Sequence, residues 1–145
     1  MKDRIFVIDG SSYLYRAYHA MPPLSTSSGQ PTGAVKGVTN MLMNLKKDSE
    51  GSSIIVVFDA KGKTFRSDIY SEYKANRPPM PDELRDQLLP VKSICRAIGF
   101  PLIEIDGVEA DDVIATIAKM AKDANYKCVI SSLDKDLMQL VEDPH

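Results

Sequence analysis

The sequence holds two cysteines, two histidines and no apolar run of the roughly 20 residues that a membrane helix needs. Cys95 and Cys128 fall inside expected elements with no metal-type spacing. Both therefore read as reduced core residues of a cytoplasmic protein. The start, Met1-Lys2-Asp3-Arg4-Ile5, has no signal-peptide h-region, and nothing points to a membrane. At 145 residues the chain has room for one domain with a fair core but not two. Its 43% apolar and 26% charged residues are those of an ordinary globular protein.

The small net charge of -2 hides an asymmetry. Residues 1–80 carry a balance of +4 and residues 81–145 one of -6. A basic front half suits phosphate binding, and an acidic rear half suits cation binding.

Three carboxylates crowd the stretch Gly107-Val108-Glu109-Ala110-Asp111-Asp112, which runs directly into an apolar helical pattern. A helix start tolerates one or two acids in its first turn. Other acids, however, stand alone at the ends of hydrophobic strands. Arg4-Ile5-Phe6-Val7-Ile8-Asp9-Gly10 is a continuous β-branched run, as expected of a strand buried on both faces of a parallel sheet. Asp9 then falls at the strand's carboxyl end, where open α/β sheets place ligands. The bland alternative is a turn or helix-capping aspartate. Ser53-Ile54-Ile55-Val56-Val57-Phe58-Asp59 repeats the pattern, and the βαβ connection brings both aspartates to one sheet edge.

Between these strands, residues 11–20 read as a short serine-capped helix, with Tyr13, Tyr15, Tyr18 and His19 as packing or structural residues. A Pro/Ser/Thr/Gly-rich loop over 21–32 follows, then an amphipathic helix to about Lys47. Thr32 is its expected N-cap, and Gly33 and Gly37 allow close approach of a backbone or phosphate, or serve packing alone. After Asp59 the character changes. Lys61, Lys63, Arg66, Lys74 and Arg77 are interleaved with Phe65, Tyr70 and Tyr73, and Pro78-Pro79-Met80-Pro81 closes the segment. Such a mixture fits phosphate tracking and base stacking, against the plainer reading of a solvated charged loop.

From Asp82, as cap, one helix is expected to Gly99, burying Leu84, Leu88, Val91, Ile94, Cys95 and Ile98. Residues 100–105 read as a third strand. The helix opened by Glu109 continues to about Asn125, burying Val113, Ile114, Ile117, Ala118, Met120 and Ala121. Residues 126–131 form a fourth strand, which leads into a helix start bearing Asp134 and Asp136. The alternation implies a parallel sheet with helices on both faces. Asp9, Asp59, Glu109, Asp111, Asp112, Asp134 and Asp136 all follow strand ends, with no histidine or cysteine cluster beside them. Hard oxygen donors of this kind suit Mg²⁺ or Mn²⁺ rather than zinc.

Five stretches, in order along the whole chain, resemble the 5′-nuclease (5′-3′ exonuclease or flap endonuclease-type) domain of bacterial DNA polymerase I. They are Phe6-Val7-Ile8-Asp9-Gly10-Ser11-Ser12, Val57-Phe58-Asp59, Tyr73-Lys74-Ala75-Asn76-Arg77-Pro78-Pro79-Met80-Pro81, Gly107-Val108-Glu109-Ala110-Asp111-Asp112 and Asp134-Lys135-Asp136-Leu137-Met138-Gln139-Leu140-Val141. The resemblance implies an α/β, PIN-like or resolvase-like parallel sheet of about four strands with a basic helical-arch insertion at about 60–81. It implies a nuclease that cuts 5′ flaps and removes 5′ nucleotides during DNA repair and replication. The substrate would be DNA with a 5′ flap or 5′ end, including RNA primer–DNA, and the protein a monomer. The seven carboxylates would hold magnesium or manganese, two ions in the full-length domain. Lys74 and Arg77 would assist at the scissile phosphate, Tyr73 would stack on a base, Arg66 would guide the strand, and the helix start at Gly33 to Gly37 would meet a phosphate. Family members continue beyond the position of His145 with more metal-binding aspartates, a helix–hairpin–helix module and, in polymerase I, a polymerase. The chain is therefore expected to be an N-terminal core, residues 1–145, with impaired cleavage and duplex binding. Competing readings are a PIN-like ribonuclease and a non-catalytic DNA-binding remnant; a phosphorylation receiver fits least, since it needs neither an arch nor the Asp134/Asp136 pair.

Overall fold

A computed structural model describes residues 4–22, 24–49, 51–60 and 80–132. The four expected strands form one parallel sheet: β1 (Arg4–Asp9), β2 (Ser53–Val57), β3 (Leu102–Ile103) and β4 (Lys127–Ser131), in the order β3-β2-β1-β4. β1 is paired on both edges, which explains why its apolar run is continuous. Side chains alternate between two cores, as the two-residue period of a strand requires. Ile8, Val56 and Phe58 face helices α1 (Gly10–Ala20) and α2 (Gly33–Asp48), while Val7 and Val57 face the opposite layer. Val7, Ile8 and Val57 are fully buried, each contributing about 1.5–3 kcal/mol relative to exposure.

The first core is completed by α3 (Asp82–Arg85) and α4 (Leu88–Ile98), the second by α5 (Ala110–Asp123). α1 and α2 cross closely because Gly37 lacks a side chain: a β-carbon there would lie 2.7 Å from that of Ala17. The Thr32 side chain makes no capping bond to α2. Instead, the buried Gln87 side chain reaches across to accept from the Val35 amide at 3.0 Å.

Four expectations are corrected. The α1 cap is Asp9, whose carboxylate accepts from the Ser12 amide, and not a serine. The expected helix over 82–99 is two helices parted at Asp86 and Gln87. Pro90 has no N–H to donate to the Asp86 carbonyl and its ring crowds that carbonyl, which favours a break there. The third strand shrinks to two residues, since Pro101 has no amide to donate and Glu104 turns away to Lys92. Met120, expected in the core, is 65% exposed.

Lys92 is the unexpected member of the α4 buried face. Its ammonium lies 2.6 Å from Glu104 Oε2 and 5.5 Å from the centre of the Phe58 ring. Carboxylate and aromatic face together compensate a charge that would otherwise be costly to bury.

Candidate metal centre

Parallel strands send their carboxyl ends to one edge, and the register decides which residues meet there. Ile8 pairs with Ser131, so Asp9 comes level with Ser132. The two side chains meet: Ser132 Oγ donates to Asp9 Oδ2 at 2.8 Å. Ser12, one turn into α1, donates its hydroxyl to the same oxygen at 2.8 Å and its amide to Oδ1 at 3.3 Å. Beside them the Tyr13 hydroxyl bonds to Ser131 Oγ at 2.8 Å, tying α1 to the end of β4. Asp9 is thus both helix cap and strand-end carboxylate, and is only 5% exposed.

Asp9 pairs with Val57, so Asp59 sits two residues further along, roughly 6–7 Å in an extended chain. Its Oδ1 accepts from the Ala110 amide at 2.7 Å, which closes the start of α5. A long contact of 3.4 Å from Ser11 Oγ to Oδ2 links it back to α1. Glu109 is the N-cap residue of α5, but its side chain makes no capping bond; the carboxylate of Asp59, two residues beyond β2, does that work. Glu109 is buried, while Asp111 and Asp112 are half-buried in the first turn. There the helix dipole favours negative charge.

Asp9 and Asp59 thus follow the carboxyl ends of neighbouring parallel strands, and Asp59 meets the helix start that carries Glu109, Asp111 and Asp112. Among the described residues, no three His, Cys, Asp or Glu side chains are arranged to hold a metal ion. Asp9 and Asp59 are turned toward the hydroxyl and amide donors of their own surroundings. Asp134 and Asp136 lie outside the described residues, as do Arg66, Tyr73, Lys74 and Arg77. Gly33 and Gly37 stand at the start of α2, both buried. A β-carbon on Gly33 would lie 2.8 Å from the Pro22 carbonyl, so packing accounts for both glycines without a ligand.

Ser12 and Ser132 were not among the residues expected at the site. A signal existed for Ser12, three residues after a capping aspartate. Ser132 becomes visible only once the β1–β4 register is known. The cysteines take no part: burial pushes the Cys95 thiol up to about 11 and raises Cys128 as well.

A family described as the 5′-3′ exonuclease, N-terminal resolvase-like domain matches residues 4–145. The chain belongs to this family. It is 58% identical over 138 residues to DNA polymerase I of Pseudomonas aeruginosa, covering 95% of the chain and 15% of that polymerase. It is 47% identical to a 5′-3′ exonuclease of Aquifex aeolicus, covering 96% of the chain and 48% of the relative. Among solved structures, a bacteriophage T5 flap endonuclease complexed with DNA and metal ions superposes with a TM-score of 0.70 at 26% identity, covering 97% of this chain and 52% of that one. The chain therefore spans about half the length, or less, of the proteins it matches. The expected parallel, PIN-like α/β architecture is that of this family. No helix among the described residues is long and apolar enough to cross a membrane.

Proposed function

We propose that this domain is the core of a divalent-metal-dependent nuclease that hydrolyses DNA phosphodiesters at 5′ ends and 5′ flaps, in repair and primer removal. The observation that carries the reading is the match of residues 4–145 to the 5′-3′ exonuclease family, and it is supported by Asp9 and Asp59 following the ends of neighbouring parallel strands, with Asp59 on the helix start that bears Glu109, Asp111 and Asp112. The donors are hard oxygens without histidine or cysteine, which fits Mg²⁺ or Mn²⁺. Asp9, Asp59, Glu109, Asp111 and Asp112, with Asp134 and Asp136, would hold the ions, two of them in a full-length domain. Bound there, a divalent ion makes water nucleophilic at neutral pH and offsets charge on the phosphodiester.

The chain's own residues do the rest. Lys74 and Arg77 place positive charge against the scissile phosphate, where it counts most in a dry site. Arg66 guides the strand, Tyr73 stacks on a base, and the helix start at Gly33 to Gly37 meets a substrate phosphate. The protein acts as a monomer in the cytoplasm, on DNA flaps and on RNA primer–DNA.

The test is Mg²⁺-dependent cleavage of 5′-flap DNA beside single-stranded RNA, with Asp112→Asn as control. The expected result is flap cleavage that the substitution abolishes. Preference for RNA would overturn the reading in favour of a PIN-like ribonuclease. Flap-DNA binding without cleavage would identify a non-catalytic remnant.

A further inference from the structure

We infer that Ser12 and Ser132 are positioning residues for Asp9: they pin carboxylate oxygen Oδ2 and leave Oδ1 as the oxygen presented to a divalent cation. This rests on the metal-binding reading above and adds to it the groups that aim one ligand.

A carboxylate offers about four lone-pair positions, two on each oxygen. Oδ2 receives both serine hydroxyls at 2.8 Å, whereas Oδ1 receives the Ser12 amide at the longer distance of 3.3 Å. Oδ2 is saturated, and Oδ1 keeps a lone pair. The two hydroxyl oxygens are also 3.2 Å apart. Each carries a single proton, so at most two of these three contacts are donated at once. Hydrogen bonds to a charged acceptor are about twice as strong as neutral ones, so both protons go to Asp9.

The terminal torsion of an aspartate is broad and nearly two-fold, and a helix cap alone leaves it loosely set. Two hydroxyls arriving from different elements, α1 and the end of β4, remove that freedom. Their own places are fixed by the β1–β4 register and by the Tyr13–Ser131 bond. Asp9 is nearly buried, so water does not readily replace a missing hydroxyl. Groups that orient a metal ligand from behind typically change affinity 10- to 100-fold when removed.

The experiment measures Mn²⁺ affinity by electron paramagnetic resonance of the free ion, together with metal-free thermal unfolding, for the wild-type chain and four variants. Ser132→Ala is expected to weaken Mn²⁺ binding by about 10-fold, whereas Ser132→Thr, which restores the hydroxyl, stays within about two-fold of wild type. Ser12→Ala, which leaves the backbone cap in place, is expected to follow Ser132→Ala, and is read by the same criterion should Ser132→Ala fail to fold. Asp9→Asn preserves a capping side chain and is expected to lose Mn²⁺ more severely than any serine variant. A serine-to-alanine chain that binds Mn²⁺ like wild type overturns the inference, as does a threonine variant as weak as the alanine one. If Asp9→Asn leaves Mn²⁺ binding unchanged, or the wild-type chain binds none, the metal-site reading falls and this inference with it.

Discussion

Burial pushes the Cys95 thiol up to about 11 from an ordinary 9.0, and the side chain is wholly enclosed between α4 and its neighbours. The sign of the consequence follows from linkage. The neutral thiol's contribution to stability is fully present below pH about 9 and is lost as the pH rises toward about 11, because the unfolded chain gives up its proton first. The unfolding midpoint in urea should fall across that window, and Cys95→Ala should flatten the fall relative to wild type. At pH 8 an aromatic disulfide reagent should modify Cys95 only as fast as the chain unfolds. The core role of this cysteine is legible in the sequence, because it falls on the apolar face of a helical pattern. Lys92 is not legible: a lysine reads as solvent-facing until Glu104 and the Phe58 ring are known to surround its ammonium. The strand-end positions of Asp9 and Asp59 are legible, because each closes a continuous apolar run, whereas the capping of α5 by Asp59 is not. The serines behind Asp9 are not, because hydroxyls are common in turns and only the fold places Ser132 beside Asp9.

At the scale of elements, the α1–α2 crossing sets two effects of Gly37 against each other. Alanine in a helix interior is favoured over glycine by about 1 kcal/mol. Its β-carbon, however, would come within 2.7 Å of Ala17 Cβ, 2.9 Å of Met21 Cγ and 3.3 Å of Ala17 Cα. The methionine can move, but the Ala17 backbone moves only if α1 does, and overpacking typically costs about 1–3 kcal/mol. Overpacking outweighs propensity: Gly37→Ala should destabilise the chain by up to about 2 kcal/mol, measured by urea unfolding. Apolar periodicity revealed the long helices and the central strands, where burial on one or both faces governs the sequence. It failed at the Asp86–Gln87 break and at β3, where a proline or a tertiary bond overrides local pattern.

For the molecule as a whole, the alternation of strands and helices implies a parallel sheet. The order β3-β2-β1-β4, which decides which strand ends become neighbours, is not written in any one segment. The segment over 61–79 leaves and rejoins this frame at fixed points. On the near side, Asp59 closes the start of α5 through the Ala110 amide. On the far side, the Met80 carbonyl accepts from Arg85 Nη2 at 3.1 Å, and Gln87 holds the start of α2. Each end is secured by groups outside the segment, on helices belonging to different cores. On the proposed reading, replacing 61–79 by a Gly/Ser linker of equal length should remove affinity for 5′-flap DNA, read by fluorescence anisotropy. The contacts that hold the two flanks, Asp59 to the Ala110 amide and Arg85 to the Met80 carbonyl, close without any residue of 61–79, so those flanks are anchored by two separate cores.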